Sequence, residues 1–198
     1  FFIHLERNFK KGNMKSYVAL LRGINVSGQK LIKMEALRKV MEDFGFQNVK
    51  TYIQSGNVLF DTAGNLTPEV LEKQIHDLIE THFGFDVSVV VTDREMLQWI
   101  SVNNPYLKEK DIDIKKLYIT FLGSEPVKEN IESLRNANFE PDEIIIDGRI
   151  IFMKYNNPAG NSKLNNKLIE NKLKVTATAR NWNTTLKLLA LFEEREVS

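Results

Sequence analysis

Guanidinium, amide and hydroxyl side chains gather in three short polar segments of this chain. The segments are residues 22–25 (Arg-Gly-Ile-Asn), 54–57 (Gln-Ser-Gly-Asn) and 180–184 (Arg-Asn-Trp-Asn-Thr), and each adjoins an apolar run. Such side chains bind anions and hydrogen-bonding groups, but they supply no evident general acid, base or activated nucleophile. Binding residues often lie where a loop leaves a rigid strand. The segments therefore predict where a site lies, without identifying a reaction.

The candidate ligand-binding residues are the polar side chains of these segments and one nearby lysine. The two arginines would hold negative charge, with bidentate geometry available to each. The amides would add hydrogen bonds, and the lysine, predicted at the start of a helix near the third segment, would add a further charge. The full set is Arg22, Asn25, Gln54, Ser55, Asn57, Lys163, Arg180, Asn181, Trp182 and Asn183.

Each segment also has a purely structural interpretation. Residues 54–57 can form a plain hairpin turn, because Gly and Asn adopt positive φ angles at low cost. Asn183 can cap the last helix, and Trp182 can anchor that helix rather than stack on a planar ligand. A helix N-terminus beside Arg180 is equally a ready anion site. On the sequence alone, both interpretations stay open.

Other kinds of catalytic or cofactor chemistry find little support. Residues 23–28 have the glycine spacing of a phosphate-binding loop, but Gln29 stands where such a loop requires lysine. A glycine-rich nest of backbone N–H groups is the weaker form of that idea. His76 and His82 lie six residues apart without cysteine nearby, so the sequence predicts no metal site. Whether the protein is an enzyme, and which cofactor it uses, stays undecided.

Composition is that of an ordinary water-soluble globular protein. The 198 residues are 42% apolar and 27% charged, with a net charge of +1 and no cysteine. The near-zero net charge disfavours nucleic acid and membrane surfaces as partners. The lack of cysteine fits a reducing cytoplasm. A homo-oligomer is left open.

The first thirteen residues differ in character from the rest of the chain. Residues 1–13 lack the small-residue cleavage site and the long apolar core of a signal peptide. We interpret them as a non-native or unstructured leader, and we hypothesise that the natural protein begins at Met14. Sequencing the N-terminus of the native product would contradict this if it began at Phe1 or earlier.

The remaining chain predicts an α+β fold made of two similar halves. Apolar runs and turn signals give the order β-α-β-β-α-β twice, with a C-terminal helix after the second copy. Two tandem ferredoxin-like units (alpha-beta plaits) are the economical interpretation. The units span residues 14–92 and 116–198, joined by a helix and linker at 93–115. A single mixed sheet of eight strands is the alternative.

Topology predicts which polar segments meet. In such a unit the first two strands run parallel, so residues 22–25 and 54–57 lie at one edge of the first sheet. In the second unit, residues 155–163 and 180–184 share the opposite edge. We hypothesise that these two polar edges face each other across a cleft between the units.

RNA-recognition domains share this topology but place aromatic residues on an open sheet face. The third strands here read Asn-Val-Leu-Phe at residues 57–60 and Arg-Ile-Ile-Phe-Met at 149–153, without that signature. Both faces of these strands are apolar. We therefore expect helices to cover one face and the other unit, or a partner, to cover the second.

The segments with their flanking strands resemble the bacterial family called domain of unknown function 1697. The likeness rests on residues 17–25 (Tyr-Val-Ala-Leu-Leu-Arg-Gly-Ile-Asn), 51–58 (Thr-Tyr-Ile-Gln-Ser-Gly-Asn-Val) and 177–184 (Ala-Thr-Ala-Arg-Asn-Trp-Asn-Thr). It extends from Met14 to about Phe192. The resemblance implies a pair of ferredoxin-like halves and carries no established activity. Ser27 and Ala179 depart slightly from the family's pattern, where Gly and Thr are common.

The leading hypothesis is a cytoplasmic protein that binds a small anionic or nucleotide-like ligand through the polar strand ends. The alternative is a structural or interaction protein, in which the same segments are caps and turns and the protein acts through association. Arginines buried in ion pairs would favour the second.

Overall fold

The computed structural model describes residues 14–26, 28–53, 56–64 and 66–196. The predicted leader and two candidate residues, Gln54 and Ser55, lie outside these ranges. Within them the chain is an α+β protein with two four-stranded antiparallel sheets and six α-helices.

The first unit has the predicted order of elements. Mostly buried runs form its first, third and fourth strands, and Gly45 and Gly84 end its two helices in left-handed conformations that favour glycine. Its elements are β1 (Met14–Leu21), α1 (Met34–Phe44), β2 (Gln47–Tyr52), β3 (Asn57–Ala63), α2 (Pro68–Phe83) and β4 (Val89–Asp93).

The second unit repeats that order after a connecting helix, α3 (Arg94–Asn103), and two short 3-10 helices. The Asp93 carboxylate caps α3 by accepting a 2.9 Å hydrogen bond from the Met96 N–H. The elements of the second unit are β5 (Leu117–Leu122), α4 (Lys128–Arg135), β6 (Glu143–Asp147), β7 (Ile150–Lys154), α5 (Asn166–Leu173), β8 (Ala177–Asn181) and α6 (Trp182–Glu196).

The strand order is the same in both sheets of the described chain. It is β2-β3-β1-β4 in the first sheet and β6-β7-β5-β8 in the second, with every named pair antiparallel. Since β1 and β2 both run opposite to β3, they are parallel to each other, as the topology predicts. The alternative of one mixed eight-stranded sheet is wrong.

Three layers of apolar side chains form the core. Helices α1 and α2 cover one face of the first sheet, and α4 and α5 cover one face of the second. The central layer joins the units, because residues such as Val18 and Leu59 of the first sheet cluster with Ile119 and Phe152 of the second. Helices α3 and α6 complete this layer. The expectation that the other unit covers the second sheet face is confirmed.

Two element boundaries differ from the sequence-based prediction and matter for the site. The sequence predicts that β8 ends at Thr178, but the strand continues to Asn181, because it pairs along β5 until Asn181 lies opposite Tyr118. The sequence also predicts that α5 starts at Ser162, but the helix begins at Asn166, where Asn165 caps it. Pairing with β5 sets the end of β8, and the Asn165 cap sets the start of α5. Neither interaction appears in the hydrophobic periodicity from which the element bounds are predicted.

The Asp147-Gly148 pair predicts a type I′ hairpin turn at these two residues, but the turn between β6 and β7 lies one residue later. Asp147 pairs with Ile150, so the turn residues are Gly148 and Arg149 instead of Asp147 and Gly148. Only Gly148 has a positive φ, of 53°. A glycine at the first turn position fits a type II′ turn instead of the predicted type I′.

None of the described helices has the length and apolar character needed to cross a membrane.

Candidate functional site

The ends of β1 and β8 meet at a groove of about 580 Å³, here called the strand-end groove. It is formed by both units. Its lining consists of Leu21, Arg22, Gly23, Val26, Ile53, Tyr118, Asn165, Asn166, Lys167, Thr178, Ala179, Arg180, Asn181 and Thr184. Arg22 and Arg180 line this one groove, as the hypothesis of facing polar edges requires, but no residue of 155–163 is part of its lining.

Arg180 ties the two units together at this groove. It lies on β8 opposite Ile119, so its side chain points to the sheet face that packs on the first unit. Its Nε donates to Asn57 Oδ1 at 2.6 Å, and its Nη2 donates to the carbonyls of Leu21 at 2.9 Å and Gly56 at 3.2 Å. Its Nη1 donates to Thr178 Oγ1 and to the Ala179 carbonyl. All five N–H groups of the guanidinium are therefore used within the protein.

The charge of Arg180 is not neutralised by these contacts. Every acceptor is a carbonyl, an amide or a hydroxyl, and among the described residues it has no carboxylate partner. Burial lowers the pKa of Arg180 to about 10. The group still carries its positive charge at neutral pH, and that charge acts across a poorly solvated interior.

Arg22 is paired with a carboxylate that the sequence did not suggest. Its guanidinium contacts Glu170 of α5, which also accepts a 3.0 Å hydrogen bond from the Ala177 N–H of β8. Glu170 therefore joins the end of β1 to the second unit. This ion pair is what the structural alternative predicts for Arg22.

Asn57 and Asn25 are occupied by the backbone. Asn57 is fully buried, and its Nδ2 donates to the Tyr52 carbonyl at 3.1 Å while its Oδ1 accepts from Arg180. Asn25 has a φ of 54°, and its amide exchanges two hydrogen bonds with the backbone of Ile32. Both amides hold loops in shape, and neither is among the residues that line the strand-end groove.

The residues of the third polar segment have three different roles: one caps α6, one anchors it in the core and one is exposed to solvent. Asn181 caps α6, accepting a 2.8 Å hydrogen bond from the Thr184 N–H. The cap predicted at Asn183 is wrong, because α6 already begins at Trp182 and Asn183 is an exposed residue of its first turn. Trp182 is buried in the central layer, so it anchors the helix and offers no free ring face.

The predicted lysine does not line the groove, and a neighbour does. Lys163 lies before the cap of α5, because the helix begins later than expected. Lys167, in the first turn of α5, lines the groove with Asn165 and Asn166. The Oδ1 atom of Asn166 is enclosed and has no hydrogen-bond partner among the described residues. Sequence reasoning missed these residues, although two consecutive asparagines before an apolar helix are a capping signal.

Ile53 borders the groove in a strained conformation. Its φ is 49°, which a β-branched residue rarely adopts, and its side chain is 49% exposed. Strained residues cluster at functional sites, where surrounding structure holds them. Gln54 and Ser55 come directly after it and lie outside the described residues, so their candidate roles stay predictions.

An equivalent of the Arg22–Glu170 contact lies elsewhere between the units. Glu72 of α2 accepts from the Val91 N–H of β4 at 2.9 Å and pairs with Arg149 at 3.2 Å. Arg149 also pairs with Glu69 at 2.8 Å. Burial raises the pKa of Glu72 to about 7, against the opposing effects of the Val91 N–H and Arg149.

A second groove, of about 680 Å³, lies among the start of β1, α3 and the end of α6. Its buried carboxylate, Asp61, accepts from Ser16, Asn48 and Arg195. Lys50 pairs with Glu194 at its margin. We assign it a structural role, because its central carboxylate is satisfied by the protein itself.

Comparisons with known proteins agree with this architecture. A solved structure described as the conserved bacterial protein SP0830 from Streptococcus pneumoniae is similar, with a TM-score of 0.66. The two share 22% identity over 90% of this chain and 98% of the other. At that identity the likeness concerns the fold alone. No curated protein matches the chain.

The sequence also matches a family model. A family model described as a protein of unknown function (DUF1697) matches residues 14–152, which include the first two polar segments. The chain belongs to the DUF1697 family of proteins of unknown function.

Proposed function

We propose that the strand-end groove binds a small organic ligand bearing a phosphate or another anionic group. The observation that carries the proposal is the uncompensated charge of Arg180, whose acceptors are all neutral. Lys167 adds a positive charge at the groove, and Glu170 balances Arg22. The balance of these four charges is positive, which favours an anion.

The groove offers hydrogen-bond donors for such a group. Asn165 Oδ1 caps α5 by accepting from the Leu168 N–H at 3.0 Å, which leaves the N–H groups of Asn166 and Lys167 without intrahelical acceptors. The positive end of the helix dipole lies there too. The enclosed amide of Asn166 supplies a further polar contact. In this proposal the positive charge of Arg180 attracts the anion from a distance, and its hydrogen bonds hold the groove in shape. Arg180 does not contact the ligand.

The apolar part of the ligand would lie against the remaining wall. Val26, Ile53 and Tyr118 line the groove beside its polar groups. A nucleoside or a sugar carrying phosphate combines an anionic end with a less polar body, as this lining requires.

The detailed fold of each unit is a further proposal. We propose that each unit is a ferredoxin-like plait, which the strand order β2-β3-β1-β4 and its repeat support. A bacterial origin and a cytoplasmic location stay predictions from the sequence.

The alternative function is association, with the polar segments serving as caps and turns. It is favoured by the five internal hydrogen bonds of Arg180 and by the Arg22–Glu170 pair. In that case the groove is a by-product of joining two units, and no small anion should bind there.

A thermal-shift screen of nucleotides and sugar phosphates separates the two functions. A ligand at a hundred times its Kd stabilises a protein by about 2.7 kcal/mol, or roughly 5 to 10 °C at this size. We expect such a shift for the wild type and its loss in Lys167→Glu. Lys163→Glu is the matched control, because it makes the same change of charge at a lysine that does not line the groove.

Two outcomes would contradict ligand binding at the groove. One is that none of the compounds shifts the wild type. The other is that Lys167→Glu and Lys163→Glu lose the shift equally, which would place the effect in general surface charge.

A further inference from the structure

The outer edges of the two sheets are treated differently. At β4 the Glu72 side chain accepts from the Val91 N–H, and at β8 Glu170 accepts from the Ala177 N–H. At β2 the register shifts between Gln47 and Lys50, and Arg195 donates to the Asn48 carbonyl. At β4 and β8 a side chain accepts from an outer backbone N–H, and at β2 an irregular register interrupts the edge. Proteins commonly block the addition of another strand in these ways.

The edge of β6 has no such cover among the described residues. Asp147 and Ile150 close the hairpin, so the alternation of an antiparallel ladder turns the N–H and C=O of Ile144 and Ile146 away from β7. No described residue donates to or accepts from these groups. The strand is five residues long and regular, and its three central residues are all isoleucine.

An apolar patch continues from this edge onto α3. Ile145 pairs with Phe152 and so lies on the same sheet face, and Phe152 contacts the Trp99 ring at 6.0 Å between centroids. Val102 lies three residues after Trp99 on the helix. Ile145 is 39%, Trp99 36% and Val102 73% exposed. A strand added to β6 would cover this patch with alternate side chains.

The charges at the ends of β6 indicate which kind of segment can pair with it. Glu143 and Asp147 end the strand, and Glu109 lies close to Glu143 through their shared partner Lys154. Among the described residues of β6 and the ion pairs at its start, three carboxylates thus accompany one lysine. Full self-pairing of β6 with a second copy would set Glu143 opposite Asp147 at both ends, and like charges directly opposite are destabilising.

We propose that β6 is a docking edge for an extended segment of another protein, with apolar residues at its centre and Lys or Arg at its ends. The backbone of the segment would satisfy Ile144 and Ile146 in the manner of β-strand addition. Its central side chains would cover Ile145 and Trp99, and its basic ends would lie against Asp147 and Glu143. This surface is separate from the strand-end groove, so either proposal can fail alone.

Two libraries of short capped peptides test the proposal on the isotope-labelled full chain. Both carry Val, Ile, Thr or Tyr at their central positions, and they differ in ending with Lys or with Glu. We expect the Lys-ended library to slow hydrogen exchange at the amides of Ile144 and Ile146. The Glu-ended library should bind about fivefold more weakly, as expected for two exposed charge pairs.

Substitutions at the edge sharpen the result. Asp147→Lys should remove the preference for Lys-ended peptides, and Ile145→Asp should abolish binding. Val70→Asp, which changes an exposed apolar residue on α2, is the matched control and should bind as the wild type does. Circular dichroism checks that each variant is folded.

Three outcomes would overturn the proposal. In the first, neither library protects the two amides. In the second, both protect them equally, so that charge plays no part. In the third, the chain alone sediments as a dimer that Ile145→Asp dissociates, which would make a second copy the occupant.

Discussion

Arg180 is held by neutral acceptors drawn from both units, whereas other arginines of the described chain, such as Arg135, Arg149 and Arg195, pair with carboxylates. Its planar fork reaches three separate groups of the first unit, which a single ammonium cannot do. The residue type thus follows from the geometry of the unit interface.

Arg180→Lys should lower the free energy of unfolding by about 2 to 4 kcal/mol. Lysine has three donors in place of five, so at least two of the five acceptors lose the hydrogen bond that Arg180 gives them. Urea denaturation measures the change. Arg135→Lys, at an exposed arginine paired with Glu132, should stay within about 0.5 kcal/mol of the wild type. Equal effects in the two variants would contradict the role given to Arg180.

Glu72 should make stability depend on pH. Burial raises its pKa to about 7 from an ordinary 4.5, so the folded state holds a proton that the unfolded state releases. Its contribution is complete below pH 4.5 and is lost as the pH rises through 7, by up to about 3 kcal/mol. Glu72→Gln should therefore flatten the decline in unfolding free energy over this range.

Glu69 provides the matched control for that titration. A backbone hydrogen bond and then a hydrogen bond with Thr67 lower its pKa, and Arg149 adds to the effect. Its contribution has the opposite sign, being present above its ordinary pKa and lost as the pH falls. The charge of Glu69 is a lesser cause of the raised pKa of Glu72, after burial, so Glu69→Gln should leave most of the decline between pH 4.5 and 7 in place. A decline that persists in Glu72→Gln would assign the titration to another group.

At the scale of elements, helix starts and strand ends decide which side chains reach the groove. Helix α6 begins at Trp182 because Asn181 caps it, and this directs Trp182 into the central layer while Asn183 faces solvent. Asn181 and Asn183 therefore allow a helix cap to be compared with an exposed residue of the same type.

Asn181→Ala should cost about 1 kcal/mol, because the Thr184 N–H loses its acceptor. Asn183→Ala should change stability by less than about 0.5 kcal/mol. Thermal or urea unfolding of both variants checks the order. A larger loss for Asn183→Ala would mean that the helix begins where the sequence alone placed it.

The close approach of β1 and β3 depends on a glycine. Gly56 has a φ of 83°, and a Cβ there would lie 2.7 Å from the Leu21 Cβ. The Leu21 Cβ is attached directly to the backbone, so it cannot move aside as the end of a flexible side chain could. The Gly56 carbonyl accepts from Leu21 and from Arg180. The turn thus positions an acceptor that holds the second unit.

Gly56→Ala should destabilise the fold by more than about 2 kcal/mol, since backbone strain and a steric clash add. Gly148→Ala has the strain of a positive φ but open space around it, and should cost about 1 kcal/mol. Calorimetry of the two variants separates clash from strain. Equal losses would show that the turn relaxes away from Leu21.

At the scale of the whole molecule, the two units share one apolar layer and cannot bury it separately. Trp182 of α6 lies within this layer, and Trp99 of α3 lies at its margin against Phe152. Contacts of Arg180, Arg22, Arg149 and Arg195 surround the layer. Either unit alone would expose a large apolar sheet face.

The units should therefore unfold as one. Tryptophan fluorescence reports the shared layer and far-ultraviolet circular dichroism reports both sheets, so the two urea transitions should coincide. An earlier fluorescence transition would mean that the units separate before they unfold, and that the interface adds little stability.

Much of this architecture could be predicted from local signals. Apolar runs, glycine stops and turn residues predict the doubled β-α-β-β-α-β order, because hydrophobic periodicity and backbone preferences act over a few residues. Antiparallel and parallel relations within each sheet follow from that order, but they do not decide whether Arg22 and Arg180 face each other. The packing of the two units brings both arginines to one groove. The motifs at residues 17–25 and 51–58 point to the family that the comparison shows.

The site itself could be predicted only in outline. The types and spacing of Arg22, Arg180 and the asparagines mark the region, but a hydrogen bond between Arg180 and Asn57 joins residues more than a hundred positions apart. By itself the sequence determined the elements, their order and the polar strand ends. Only the tertiary structure decided which of those polar groups bind the protein's own backbone and which, such as Lys167, face the groove. The reason is that pairing along β5 and packing of the central layer are long-range interactions, and they set where each side chain points.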